Sequence, residues 1–345
     1  MTTCDEAPCG DLLEARPRGE EHALFEFEFC HKRAAASSFC VPQLPRRVAV
    51  KCLLLLGAMP SPRPGDSTRA ASLVGGEAIA GGDICLVVID PQNDFHEGGA
   101  LAVPGAVEDT ERTAAFLTKH VDRIDSVVVT LDSHQVNHIA HGSFWEKPND
   151  AAARPLPFTV ISVEDVAAGK WRARDPALRD WALAYVEALA KGGRFALVVW
   201  PEHCVVGTEG HAVREPLKGA LAAWCRAKGK SVAYLLKGMN NRSEMYSCFK
   251  AEVELDDDPT TKLNAALIAK IAKHETVVCC GQAKSHCVNY SVRDMVAAWP
   301  EGTPKSNLVL LKDACSPVIS FEKAAAEFEA DVAAAGVRVT TTDDF

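Results

Sequence analysis

Six short apolar runs constrain this chain more than any other feature of its sequence. They are ICLVVID (84–90), SVVVTL (126–131), FALVVW (195–200), SVAYLL (231–236), TVVCCG (276–281) and NLVLLK (307–312). Continuous runs of this length, rich in β-branched residues, suit strands covered on both faces. Helical patterns lie between them. Leu178, Trp181, Tyr185 and Leu189 follow an Asp175-Pro176 start signal. Leu217, Leu221 and Trp224 form a second apolar face, and Leu263, Leu267 and Ile271 a third. Val288, Val292 and Met295 form a fourth, and Phe321, Phe328 and Val332 a fifth. Strands alternating with helices predict a three-layer α/β sandwich, Rossmann-like, around a mostly parallel sheet of about six strands with right-handed crossovers.

The length of 345 residues has room for one large α/β domain with extensions, or for two small domains. A net charge of -9 argues against nucleic acid and anionic membranes as partners. The 13 cysteines show neither the spacing of a secreted disulfide framework nor a zinc-type CxxC pair. Reduced thiols in a cytoplasmic protein are the expectation. Residues 1 to about 80 are rich in Pro, Arg and small residues and lack a periodic apolar face. They read as a disordered extension, with Met59 as an alternative start. The apolar run Val48 to Ala58 contains Lys51 and is too short to span a bilayer. The folded domain is expected over 81–345, with an insertion at about 145–190.

In open parallel sheets, ligands bind beyond the carboxyl ends of the strands. Those ends carry Asp90, Asp132-Ser133-His134, Trp200-Pro201-Glu202-His203 and Lys237-Gly238, and the fifth run leads through Gly281 to Cys287. A thiol at a helix start sits where unpaired N–H groups favour a thiolate and can hold an oxyanion. Taken alone, Cys287 could equally be an inert buried thiol. Together, five strand ends bearing carboxylate, imidazole, ammonium and thiol groups make a candidate active site.

The segments VVIDPQNDFHEGGALAVPGA, TLDSH, WPEHC, LLKG with MYSCF, and GQAKSHCV occur in this order. They resemble the motifs of the nicotinamidase/isochorismatase superfamily of cysteine hydrolases over about residues 84–342. The resemblance implies an isochorismatase-like fold and a catalytic triad of Asp90, Lys237 and Cys287. It also implies an oxyanion hole from Ala283 and Cys287, a cis peptide at Gln282–Ala283, and metal ligands Asp132, His134 and His203. Phe95, Trp200 and Tyr246 fall at positions near the substrate pocket, where an aromatic wall suits a flat ring. The ion expected is divalent, zinc first, with iron, manganese and magnesium as alternatives. His138 and His141 read as neighbours of the ligands or surface residues rather than ligands.

The implied activity is hydrolysis of a small carboxamide through a thioester, with nicotinamide as first candidate and a role in NAD salvage. The chain departs from nicotinamidases at Asp132-Ser133-His134-Gln135, in IAHGSFW, and in the long stretch between Phe144 and Phe195. Another small amide, or an isochorismatase-like substrate, therefore stays open. The rival readings are a ribonuclease, which the acidic chain does not favour, and a non-catalytic interaction protein. Retention of all three triad residues argues against the latter. A homo-oligomer is left open.

Overall fold

The computed structural model describes residues 73–75 and 79–345. The remainder of the expected N-terminal extension lies outside the described residues. In chain order the strands are β1 (Leu73–Val74), β2 (Gly82–Ile89), β3 (Ile124–Asp132), β4 (Trp145–Glu146), β5 (Val160–Ile161), β6 (Arg172–Ala173), β7 (Leu197–Val198), β8 (Ala233–Lys237), β9 (His274–Gly281), β10 (Leu308–Leu311) and β11 (Arg338–Thr340). The helices are α1 (Ala106–Lys119), α2 (Val163–Ala167), α3 (Arg179–Gly192), α4 (Leu217–Lys228), α5 (Ala265–Ile271), α6 (Asn289–Ala297) and α7 (Glu322–Ala334).

The central sheet runs in the order β1-β8-β3-β2-β9-β10-β11. Six of its strands are parallel, and only β1 is antiparallel, pairing Leu73 with Leu235. β1 falls inside the stretch expected to be an extension, and Ile79 is buried in the core, so the folded part begins before residue 81. Numbered among themselves, the parallel strands follow the 3-2-1-4-5-6 order of doubly wound folds. Their order reverses between β2 and β9, and that switch point is where such folds open a ligand crevice.

Alternation along the strands sorts the core into two layers. Ile84, Leu86 and Val88 of β2 pack with Val127, Val129 and Val278 against Phe116 and Leu117 of α1 and Leu217, Leu221 and Trp224 of α4. Cys85, Val87 and Ile89 face the other way, with Val277 and Cys279, onto α5, α6 and α7 through Leu267, Ile268, Val292 and Phe328.

One expected strand is corrected. FALVVW does not join the central sheet. β7 pairs antiparallel with β5, and the sixth parallel strand is β11, whose three residues RVT lack an apolar run. A short apolar run tells only that it is enclosed, not by what. Here Leu197 and Val199 are enclosed by a third cluster, with Trp145, Ile161, Trp171, Ala173, Tyr185 and Val186. That cluster is the core of the 145–190 stretch, which carries β4 paired with β6, α2 and α3. This stretch is thus a small layer with its own apolar interior, and it packs against Leu197 and Val199 of the segment ending in Trp200. No helix among the described residues is long and apolar enough to cross a membrane.

Candidate active site

The register of the sheet brings the strand-end groups together. β3 and β8 pair Asp132 with Lys237, and β2 and β9 pair Ile89 with Gly281. Gly281 has φ 117°, and a Cβ there would lie 2.0 Å from the Ile89 carbonyl oxygen. Only glycine lets the two strands stay this close as β9 turns away. The Gln282–Ala283 peptide that follows is cis. Lys284–Val288 then forms one wide turn, with Val288 N–H donating to Ala283 O at 3.1 Å, and continues into α6. Wide turns of this kind recur at functional sites. This one carries Cys287.

Lys237 is the hub. Its side chain is 1% exposed, and Nζ lies 3.0 Å from Asp90 Oδ2, 2.9 Å from Asp132 Oδ1 and 3.5 Å from Cys287 Sγ. It also donates to Met245 O at 2.9 Å. Asp90 is fully buried. Thr130 Oγ1 donates to its Oδ1 at 2.5 Å. Burial would depress the Lys237 ammonium, but Asp132 and Asp90 outweigh it and hold its pKa well above the ordinary value. Burial raises Asp90 above the usual carboxylate range against the pull of Lys237. Burial likewise pushes the Cys287 thiol up, and Lys237 offsets part of that. The resting pair is therefore a neutral thiol beside a carboxylate of raised basicity.

Cys287 opens on a cavity also lined by Phe95, Trp200, Tyr246, Ala283 and His286. All three aromatic residues singled out in the sequence line it. Trp200 Nε1 donates to Tyr246 Oη at 2.9 Å, and the Phe95 ring meets His203 edge-on at 5.6 Å. The free volume is about 20 Å³, so a ring-sized guest needs the side chains at the mouth to shift.

A curated nicotinamidase of Acinetobacter baylyi is 25% identical over 235 residues, 68% of this chain and 81% of that protein. The fold matches an Acinetobacter baumanii nicotinamidase and pyrazinamidase with TM-score 0.50 and 22% identity, over 76% of this chain and 97% of that one. It matches the yeast nicotinamidase with TM-score 0.50 and 20% identity, over 74% and 99%. The chain is thus similar in sequence to a nicotinamidase and shares the fold of the nicotinamidases. No family model matches it.

The chain carries a dense buried cluster next to the cavity. Asp132, His134, His138, His141, His203 and Glu244 are each at most 3% exposed. Asp132 bridges two of the expected ligands, with Oδ1 3.6 Å from His134 Nε2 and Oδ2 3.3 Å from His203 Nε2. Two triads converge tightly, His134 with His141 and His203, and His134 with His138 and Glu244. Of the two readings of His138 and His141, the surface one fails: both are fully buried within the cluster as neighbours of the expected ligands, their rings 4.4 Å and 4.9 Å from that of His134.

Hydrogen bonding separates the two. His141 Nδ1 donates to Gln135 O at 3.1 Å, which leaves a lone pair on Nε2, a buried atom without a partner among the described residues. His203 Nδ1 donates to Pro201 O at 2.8 Å, and its Nε2 lies 3.3 Å from Asp132 Oδ2. His138 has both nitrogens engaged, Nε2 with Asn240 O at 3.2 Å and Nδ1 with the Ala140 N–H at 3.3 Å. Backbone carbonyls that fix a tautomer in this way are the usual outer support of metal-binding histidines.

Glu244 was not singled out in the sequence. It lies 3.3 Å from His134 Nε2, lines the cavity, and keeps Oε2 buried without a partner among the described residues. These orphaned nitrogen and oxygen donors suit a divalent metal ion.

Proposed function

We propose that this protein is a cysteine amidohydrolase that cleaves a small planar carboxamide to the acid and ammonia, with nicotinamide as the first candidate. The observation that carries the reading is the meeting of Asp90 and Lys237 with Cys287, which lines an aromatic-walled cavity. Curated similarity to a nicotinamidase supports the same substrate class.

In this reading Asp90 accepts the thiol proton as Cys287 Sγ attacks the amide carbon. The carbonyl electron pair moves to oxygen, where the backbone N–H groups of Ala283 and Cys287 hold it. The pair then returns, Asp90 delivers its proton to the nitrogen, and ammonia leaves a thioester. Water attacks the thioester with Asp90 again as base, and the acid and free thiol are released. Lys237 keeps its proton throughout and supplies fixed positive charge to Asp90 and the sulfur. Phe95, Trp200 and Tyr246 clamp the ring.

The residues that would hold a divalent ion are Asp132, His134, His203 and, by its free Nε2, His141. Zinc is the first candidate for this nitrogen-rich set. Such an ion would supply a Lewis acid at the edge of the cavity.

A panel of carboxamides assayed for ammonia release tests the activity. Nicotinamide is expected to be hydrolysed by the wild-type protein and to be stable in the presence of Cys287→Ala. Ammonia release that Cys287→Ala leaves unchanged would overturn the assignment.

A further inference from the structure

A second cavity, of about 310 Å³, takes Trp200 as part of its wall and contains no member of the triad or the metal group. Arg154 and Arg174 line it together with Ser143, Pro155 and Glu202. Both arginines come from the 145–190 stretch, where the chain departs from nicotinamidases. In that stretch Arg172 and Arg179 are taken by Glu146, at 2.9 Å and 3.6 Å, and Lys170 by Asp165 at 2.9 Å. Arg154 and Arg174 have no carboxylate within ion-pair distance among the described residues, although Glu202 lines the same cavity. On a chain of net charge -9, two such guanidinium groups on one cavity are a local exception.

Backbone groups hold the pair in place. Arg174 Nη1 donates to Ser143 O at 3.1 Å, and the Arg174 N–H donates to Phe144 O at 2.9 Å. Arg154 Nη1 donates to Ala151 O at 2.6 Å and to Ala153 O at 3.0 Å. A Cβ on Gly142 would lie 2.9 Å from Pro155 O and 3.8 Å from Arg154 Cβ, so the Arg154 segment packs on the same turn that receives Arg174. Only Nη1 of each guanidinium is engaged, and the remaining N–H donors are left to give.

Trp200 connects this cavity with the one at Cys287. Its N–H donates to Ala140 O at 2.7 Å, and its Nε1 donates to Tyr246 Oη, which belongs to the Cys287 cavity. One indole thus borders both. At the Cys287 cavity the Lys237 ammonium is already shared between Asp90 and Asp132. A negatively charged group on the substrate therefore finds its free countercharge beyond Trp200.

We propose that Arg154 and Arg174 form an anion subsite for a carboxylate or phosphate group at the far end of the substrate whose carboxamide sits at Cys287. Planar guanidinium forks suit either group. The substrate class is thereby narrowed to carboxamides that carry an anionic tail. The inference rests on the amidohydrolase reading.

Two measurements test it. The first reads the arginines without any amide. The Nε–H signals of Arg154 and Arg174, in the full chain with 15N-labelled arginine, are identified by their loss in Arg154→Met and Arg174→Met. Both are expected to shift on titration with inorganic phosphate. Signals that stay in place would overturn the proposal.

The second uses nicotinamides bearing a carboxylate on flexible linkers of increasing length, each beside its methyl ester, with affinities measured by calorimetry in the Cys287→Ala background. Beyond a threshold length the acid is expected to bind more tightly than its ester. Arg154→Met and Arg174→Met should each lower that acid-to-ester ratio about fivefold, and Glu202→Gln should raise it about twofold, as half-exposed charges require. Affinity for nicotinamide itself should not change in the two arginine variants. Acid and ester bound alike at every length, or an acid preference that survives loss of both arginines, would overturn the proposal even if phosphate shifts the arginine signals. If the wild-type protein hydrolyses none of these amides while the ratio behaves as stated, the activity assignment falls and the anion subsite stands.

Discussion

Replacing Lys237 with Met is expected to lower amide hydrolysis at least about 10³-fold and to destabilise the fold by roughly 3–5 kcal/mol. The reason is the same for both losses. Nζ sits within 3.0 Å of a carboxylate oxygen of both Asp90 and Asp132, inside a region with almost no water contact. Removing the ammonium leaves two buried carboxylates facing each other, and removes the charge that favours a thiolate at Cys287. Lys237→Arg is expected to recover little. Its planar fork cannot converge on Asp90, Asp132, Met245 O and Cys287 as one ammonium does. Urea unfolding alongside the ammonia assay checks both halves. A Lys237→Met protein of wild-type stability would show that the two carboxylates do not depend on it.

The second large effect concerns metal content. His141→Ala is expected to weaken binding of a divalent ion by more than the ten- to a hundredfold that follows loss of an outer partner. His138→Ala should fall within that smaller range or below it. The two residues are three apart and equally buried, so burial alone predicts equal effects. Only their bonding differs: His141 Nε2 is without a partner among the described residues, whereas both nitrogens of His138 are engaged by backbone groups. Zinc titration of protein stripped by chelator, with circular dichroism to confirm folding, reads this without any catalytic assay. Equal losses in the two variants, or a greater loss in His138→Ala, would contradict the assignment.

These predictions show which parts of the site the sequence made legible. Asp90, Asp132 and Lys237 close continuous apolar runs, and a parallel sheet with covered faces must present such residues at one edge. Cys287 was marked by the Gly281 turn ahead of a helical pattern. FALVVW had the same composition and misled, because burial in the core of the 145–190 stretch and burial in the central sheet select the same residues. β11 was missed for the opposite reason, since its edge position asks for little apolar sequence. Glu244 lies in the stretch between β8 and α5, without periodicity, and only long-range packing against His134 gives it meaning. The distinction between His138 and His141 depends on which backbone carbonyl each ring reaches, which no spacing rule encodes.

The central claim is that Cys287 forms a covalent acyl intermediate. Acid quench of the wild-type protein during turnover of nicotinamide, followed by peptide mass spectrometry, tests it most directly. The expected result is a nicotinoyl thioester on the peptide containing Cys287, absent from Cys287→Ala and discharged by hydroxylamine. Hydrolysis that proceeds with no acyl group on that peptide, or with one on another cysteine, would contradict it.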